Sequence, residues 1–299
     1  MPDARPALSV VVPSVNGWGD LEGCLAALAA QDAGVPIEVL VADRVGPAVR
    51  EPVRKHFPAV RLIEAPPRTT IPDLRAMAFE AATGAVIGVI EDHVLVPKDW
   101  ARRMLAEQAA GAQVVGGAVE NAATERPVDW AAFLCEYSAI LAPREGPSPW
   151  VTGNNVTYRG ELIKQRPQVW RAGKWENHLH DTLRGEGVVL LCRPSIVVGH
   201  KMHYTTLSYL EQRYLYSRSY AGTRLAGAGA LKRLVTGFLA FALPPVLMLR
   251  IVKNVKASGR YGAELNRSLP RIALFTLGWA WGEIVGYWMG PGDALERVV

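Results

Sequence analysis

Leu8-Ser9-Val10-Val11-Val12-Pro13-Ser14-Val15-Asn16 is a β-branched, apolar run that stops at a proline and turns polar. A short run of this kind reads as a strand, Leu8 to Val12, that leaves its sheet at Pro13. Four more apolar runs follow, Ile37 to Ala42, Val60 to Ile63, Val86 to Ile90 and Val114 to Val119, bounded by Pro, Gly or Asp. Between them, Asp20 to Ala30, Ala48 to Phe57, Pro72 to Ala82 and Pro97 to Ala110 have helical spacing, two of them opening with proline in the first turn. Strand and helix in strict alternation predict an α/β fold with a largely parallel sheet covered on both faces.

In such sheets ligands bind beyond the carboxyl ends of the strands. The residues there are Pro13 to Asn16, Asp43 and Glu91-Asp92-His93. The last triplet offers oxygen donors and an imidazole at a fixed strand end, as a divalent cation holding a diphosphate requires. Taken alone it reads equally as a solvated turn.

The stretch from Asn121 to about Gly199 is less regular. A Pro-rich loop, Ala142 to Pro149, precedes a helix over Trp175 to Gly185 and strands near Val188 to Leu191 and Ile196 to Val198. Loops of this kind select an acceptor. Thr152-Gly153-Asn154-Asn155 sets a glycine among short polar side chains, suited to close approach of a sugar, or else forms an ordinary Asn-Gly type turn. Glu176 opens the helix and could take a proton from an attacking hydroxyl, with Asp181 in reserve; both could instead serve only helix N-terminal electrostatics. His178 and His180, two residues apart, turn away from each other on a helix and share no metal. His200, just past a strand, could complete a metal shell or be a buried histidine, and His203 has the weaker claim.

A chain of 299 residues holds one large α/β domain and a modest appendage. Its 49% hydrophobic content is high, and the surplus sits at the C-terminus. The net charge of +5 calls for an anionic partner, which could be nucleic acid, anionic lipid or a phosphorylated substrate. The C-terminal basic residues flank apolar segments, which argues against nucleic acid. Cys24, Cys135 and Cys192 are odd in number and lack metal spacing, so they read as core residues of a chain in a reducing compartment. Met1 to Ala7 carries no apolar run, so no secretory signal is read there and the catalytic part is expected on the cytoplasmic side.

Taken together in order and spacing, Leu8 to Asn16, Ala42-Asp43, Arg75-Ala76-Met77-Ala78 before Thr83-Gly84, Glu91-Asp92-His93, Gly153-Asn154-Asn155, Glu176-Asn177 and Gln212-Arg213 make the chain resemble glycosyltransferase family 2, with its GT-A fold, from Leu8 to Arg224. The resemblance implies an inverting transfer of sugar from a nucleoside-diphosphate sugar to a hydroxyl acceptor, with a divalent cation, Mn or Mg. It puts the nucleoside at Pro13, Ser14, Asn16 and Asp43, and Arg75 near the nucleotide. Where the family usually shows Asp-x-Asp, this chain has Glu91-Asp92-His93, which implies Asp92 and His93 as metal ligands, beside the His200 already singled out by position. The family's acidic pair opening a helix becomes Glu176-Asn177, which implies Glu176 as base. Arg213 and Arg218 are implied beside the departing diphosphate.

A catalytic domain over residues 1–204 and a helical region over 205–299 follow, the latter with apolar segments Leu234 to Val252 and Ile272 to Gly290. Each is nearly long enough to cross a bilayer. Pro244-Pro245 and Arg250 flaw the first, and Glu283 flaws the second. Basic residues on both flanks give the orientation rule no answer, so helices that lie in the membrane interface or enter and return are expected, with Trp279, Trp281, Tyr287 and Trp288 as anchors. A lipid-linked acceptor would suit that location. The alternative is a soluble helical cap or an interface between copies of the chain. Two rival functions remain: a nucleotidyltransferase, although Pro13 to Gly19 lacks the basic residue such a loop carries, and a catalytically silent membrane scaffold.

Overall fold

The computed structural model describes residues 5–299; the first four residues of the segment read for a signal lie outside it. The chain divides into two compact units, the first comprising residues up to Ala122 and Pro143–Lys201, the second Ala123–Ala142 and Met202–Val299.

The first unit is built on a 9-stranded sheet in the order β3-β2-β1-β4-β8-β6-β9-β5, with β7 also on β9. Its strands are β1 (Leu8–Ser14), β2 (Ile37–Asp43), β3 (Arg61–Glu64), β4 (Val86–Val89), β5 (Val94–Leu95), β6 (Val114–Asn121), β7 (Gly146–Pro147), β8 (Val156–Arg159) and β9 (Leu190–His200). β1, β2, β3, β4, β6 and β9 run one way and β5, β7 and β8 the other, so the sheet is mostly parallel as the alternation predicts. The helices are α1 (Trp18–Ala29), α2 (Pro47–His56), α3 (Ile71–Ala81), α4 (Trp100–Ala109), the short α6 (Gly160–Lys164) and α7 (Pro167–Trp170), and α8 (Glu176–Gly185); α5 belongs to the second unit. Thr70 caps α3, its side chain accepting the Asp73 amide. β1 is buried along its whole length, which explains its mostly apolar run.

Two departures from the sequence reading shape the site. The runs at Val188 to Leu191 and Ile196 to Val198 are one strand, β9, whose pairing with β6 slips between Gly117 and Ala118, opposite Arg193 and Val197. Pro194 lies in that interval; it has no amide hydrogen for the ladder, so a bulge takes the strand past it. Beyond the bulge β9 ends at His200, which pairs with Val94 of β5. That pairing brings the residues after β4 and the end of β9 together.

The second unit is helical: α5 (Pro127–Tyr137), α9 (Thr206–Arg224), α10 (Ala230–Leu239), α11 (Leu243–Ser258), α12 (Gly262–Met289) and α13 (Ala294–Arg297). Gly278, Gly282 and Gly286 line one face of α12 so closely against α9 that side chains there would strike Leu210, Tyr214 and Arg218. Ala230–Ser258 is long and apolar enough to cross a membrane, and most of it is exposed. The second apolar segment is different, because α12 buries much of itself within its unit. Of the four aromatic residues expected as anchors, Trp281 is exposed, whereas Tyr287 is buried and bonds Glu283. Trp279 also donates to Glu283, and Trp288 lies edge-on to Phe238. The Glu283 carboxylate therefore has donors inside the helix bundle, which explains an acid in an apolar segment.

Candidate active site

A tight turn follows β4, closed by the Val94 amide donating to the Glu91 carbonyl at 3.0 Å, and it divides the side chains of Glu91, Asp92 and His93 between two sides. Glu91 and His93 face His200, while Asp92 faces the loop after β1. The ligand atoms of Glu91, His93 and His200 all lie within 4.8 Å of one another. His93 Nε2 is 2.8 Å from His200 Nε2 and 3.4 Å from a Glu91 oxygen. Two ligands at right angles on an ion with bonds of about 2.1 Å stand about 3 Å apart, so the imidazole pair fits one divalent cation.

Burial would push His93 down, but hydrogen bonds to Asp92 and Glu91 and the charges of both carry it up to about 10. His200, buried and beside that charge, falls to about 3. Burial likewise opposes the ionised Glu91, yet the hydrogen bond and charge of His93, with Arg75, hold it below the usual carboxylate range. The cluster is thus a dense, buried arrangement of mutually dependent charges.

Asp92 is 1% exposed, and donors surround its carboxylate. The amides of Val15 and Asn16 reach Oδ2 at 2.8 and 3.0 Å, and Asn16 Nδ2 reaches Oδ1 at 2.7 Å. His93 Nδ1 lies 3.0 Å from the same Oδ1. Asp92 therefore joins the β1 loop to the histidine cluster. Pro13 and Ser14 end β1, where the Ser14 hydroxyl donates to Asp43 at 3.0 Å. Asp43 is buried and also accepts from the Val45 and Gly46 amides and from Arg50 at 2.7 Å, so it holds the turn into α2.

From the other side comes α8, with Glu176 at its first turn. Arg75, buried on α3, donates to Glu176 at 2.7 Å and stands 3.5 Å from Glu91. Asn154 Nδ2 donates to the second Glu91 oxygen at 2.9 Å. A side chain at Gly153 would run into the Glu176 carboxyl, so only glycine lets the loop pass it. Arg75, Glu91, Asn154, Glu176, His93 and His200 thus form one connected group at a sheet edge.

Other expected residues have different surroundings. Asn155 is fully buried: its amide donates to the Ala118 and Ile196 carbonyls and its oxygen accepts from Trp100, tying the residue before β8 to β6, β9 and α4. Asp181 is exposed and pairs with Arg184 at 3.4 Å. His180 is buried beside the Tyr158 hydroxyl at 2.7 Å, and His203 lies 3.2 Å from Asp129 within the second unit. Arg213, also of the second unit, bonds Glu136 at 2.9 Å and lies over the rings of Tyr209, Tyr216 and Trp279. Arg218 stands 3.4 Å from the Gly290 carbonyl and from the Tyr214 hydroxyl. The sequence reading leaves Glu91 out of the ligand set; its place directly after an apolar strand, beside His93, is the signal that the sequence offers.

A mostly parallel sheet carrying acids and histidines on the loops beyond its strand ends defines a catalytic unit of the GT-A type. The family model of glycosyl transferase family 2 matches residues 9–165, more than half of the chain, and the protein belongs to that family. Glycosyl transfer is the activity that membership supports. No curated protein matches the chain. Among solved structures, it is similar to a mannosyltransferase, PcManGT from Pyrobaculum calidifontis in complex with GDP-Man and Mn2+, at 19% identity over 97% of this chain and 87% of that one, with a TM-score of 0.49. It is also similar to residues 1–349 of S. aureus TarS, at 14% identity over 91% of this chain and 90% of that one, with a TM-score of 0.47. The TarS structure in complex with UDP covers 93% and 90% at 14% identity, with a TM-score of 0.48.

Proposed function

We propose that the chain moves a sugar from a nucleoside-diphosphate sugar to a hydroxyl acceptor in a single inverting displacement, with Glu176 as the base. The connection of Glu176 to the Glu91, His93 and His200 cluster through Arg75 carries this reading, because it sets a proton acceptor and a cation seat on one edge. Glu91, His93 and His200 would hold a divalent cation there, and it would supply positive charge to offset that of a departing diphosphate. Asn16, fixed by Asp92, and the residues around Asp43 shape the nucleoside end. Arg75 aims the Glu176 carboxylate, and Gly153 keeps the space beside it open. Glu176 takes the acceptor's proton as that oxygen attacks. Arg213 already has a carboxylate partner and three rings in its own unit, which supports a structural part for it rather than a diphosphate contact.

We propose further that the chain works at the cytoplasmic face of a membrane on an acceptor carried there on lipid; the exposed apolar surface of the second unit supports the membrane contact. Leu231, Leu234, Phe238, Leu239, Phe241 and Leu249 are exposed along the apolar helix Ala230–Ser258. Basic Lys232, Lys253 and Lys256 interrupt or flank them. Exposed apolar side chains suit lipid, and lysines at their flanks suit anionic headgroups.

The test is transfer from uridine, guanosine and thymidine diphosphate sugars by the parent and by Glu176→Gln, with the product anomer read by NMR. The parent is expected to form product of inverted configuration. Glu176→Gln is expected to lose roughly 10²–10⁴-fold in turnover while a nucleoside diphosphate still raises its melting temperature. A variant as active as its parent sinks the base assignment. A parent inactive with every donor favours the silent scaffold.

A further inference from the structure

Within the second unit the apolar helix Ala230–Ser258 turns back at Gly259 into α12, and the two pack as a hairpin. Trp288 Nε1 donates to the Leu234 carbonyl at 3.2 Å, and Arg233 Nε to the Tyr287 carbonyl at 2.8 Å. Each helix leaves an apolar stripe exposed: Leu231, Leu234, Phe238 and Phe241, three and four apart, on the first, and Leu274, Leu277 and Trp281 on α12. We infer that this hairpin seats the chain flat in one leaflet of an anionic bilayer and does not cross it. The inference rests on the membrane contact proposed above.

The two ends of the hairpin forbid a crossing for different reasons. At the turn, Arg260 Nη1 lies 3.4 Å from the Leu141 carbonyl, and the Ser268 hydroxyl donates to the Pro127 carbonyl at 3.3 Å. The chain passes into the first unit between Ala142 and Pro143. Two residues of extended chain reach about 7 Å, against roughly 30 Å of hydrocarbon, so the turn stays on the first unit's side of a bilayer. The opposite end is tied to α9, which keeps step with α12: Leu210 meets Gly278, Tyr214 meets Gly282 and Arg218 meets Gly286. Driving that end through the bilayer would draw Arg213, Arg218 and Arg224 in after it, and charged side chains at hydrocarbon depth are costly. The apolar stretch itself is short. Between Arg233 and Arg250 it has sixteen residues, interrupted by Pro244-Pro245 and the tight turn Ala240–Ala242, whereas a spanning helix takes about 20.

A flat seat avoids both difficulties. The stripes enter the boundary between headgroups and acyl chains. Lys232 near one end of the helix, and Arg250, Lys253 and Lys256 near the other, are exposed and reach headgroups. Charge selects the occupant. From Ala230 to Gly282 the chain has eight Lys or Arg and a single acid, Glu264. A second copy would bring the same positive charge against itself, while anionic lipid complements it.

The test labels Lys232→Cys and Lys256→Cys, exposed positions toward the two ends of the helix, with a membrane-impermeant maleimide. Inverted and right-side-out membrane vesicles from cells expressing the full chain are compared. Both positions are expected to label in one kind of vesicle and neither in the other. Label from opposite sides overturns the flat seat and keeps the membrane location. The chain's own cysteines, none of them exposed, set the background. Flotation of the purified chain then checks the lipid. Binding to phosphatidylglycerol vesicles is expected to exceed binding to phosphatidylcholine vesicles, and Lys253→Gln combined with Lys256→Gln to weaken it roughly 30-fold, about fivefold for each lysine. Equal binding to the two lipids overturns the anionic partner. A chain that ignores both vesicles and sediments as a dimer assigns the stripes to a second copy, and the membrane location falls with the flat seat. Sugar transfer is assayed apart from these and answers for the active site alone.

Discussion

Arg75 in the first unit and Arg213 in the second are both buried, and both face carboxylates. Arg75 stands between two of them, Glu176 and Glu91, each of which also belongs to a group aimed elsewhere. Arg213 has one, Glu136, and the rings of Tyr209, Tyr216 and Trp279 enclose the rest of it. The first arrangement spreads a charge over acids that chemistry can use. The second closes a charge off, as a folded core requires. Burial and pairing alone therefore do not mark a site; what marks it is whether the partners have further work.

Arg213→Met tests the distinction with the largest effect on stability. Removing one partner of a buried pair leaves the other uncompensated, and a loss of roughly 3 kcal/mol is expected, read by urea denaturation. Adding Glu136→Leu should recover part of that loss, because an apolar pair of similar volume can replace a buried ion pair. Turnover per folded molecule should hold. If the single variant keeps its stability but loses turnover, Arg213 acts on the diphosphate and the comparison fails.

The fold of the first unit was legible because β1, β2 and β4 are mostly apolar and β-branched and α1 to α4 fall between strands. The two-residue strands β5 and β7 were not, since no periodicity shows in a pair of residues. Helix α5 escaped because Val128, Ala131, Ala132, Phe133, Leu134 and Tyr137 are all buried, which blurs the one-sided pattern that reveals a helix. At the site, His93 and Glu176 could be singled out by position after a strand or at the start of a helix, whereas Arg75 was named only through the family resemblance. The meeting of His93 with His200 could not, because it depends on a two-residue strand pairing past a proline bulge. Asn155 shows the reverse: its type and its neighbour Gly153 read as sugar contacts, while the sheet uses its donor and acceptor groups.

A smaller effect separates His180 from the histidines of the cluster. Burial pushes His180 down to about 4 from 6.5. The folded chain keeps it neutral while the unfolded chain takes up a proton, so stability is full above pH 6.5 and falls as pH drops toward 4. At pH 5 the loss from this group is roughly 2 kcal/mol. His180→Gln retains a polar partner for Tyr158 and cannot titrate, so its stability should decline less steeply between pH 6.5 and 4. Equal slopes in the two proteins would remove His180 as the source.

Asp181→Asn should do least of all. Glu176 and Asp181 share α8, but five residues at 100° each place them about 140° apart around its axis. Asp181 is exposed, with Arg184 beside it, a pair of the kind worth about 0–1 kcal/mol in water. Its loss should change stability by no more than about 0.5 kcal/mol and leave transfer near the parent's rate. Arg75 and Gly153 contact only the first of the two acids among the described residues, and that is the physical reason to expect the difference. A fall in turnover matching that of Glu176→Gln would move the base more than one turn down the helix and leave the buried Arg75 contact as packing alone.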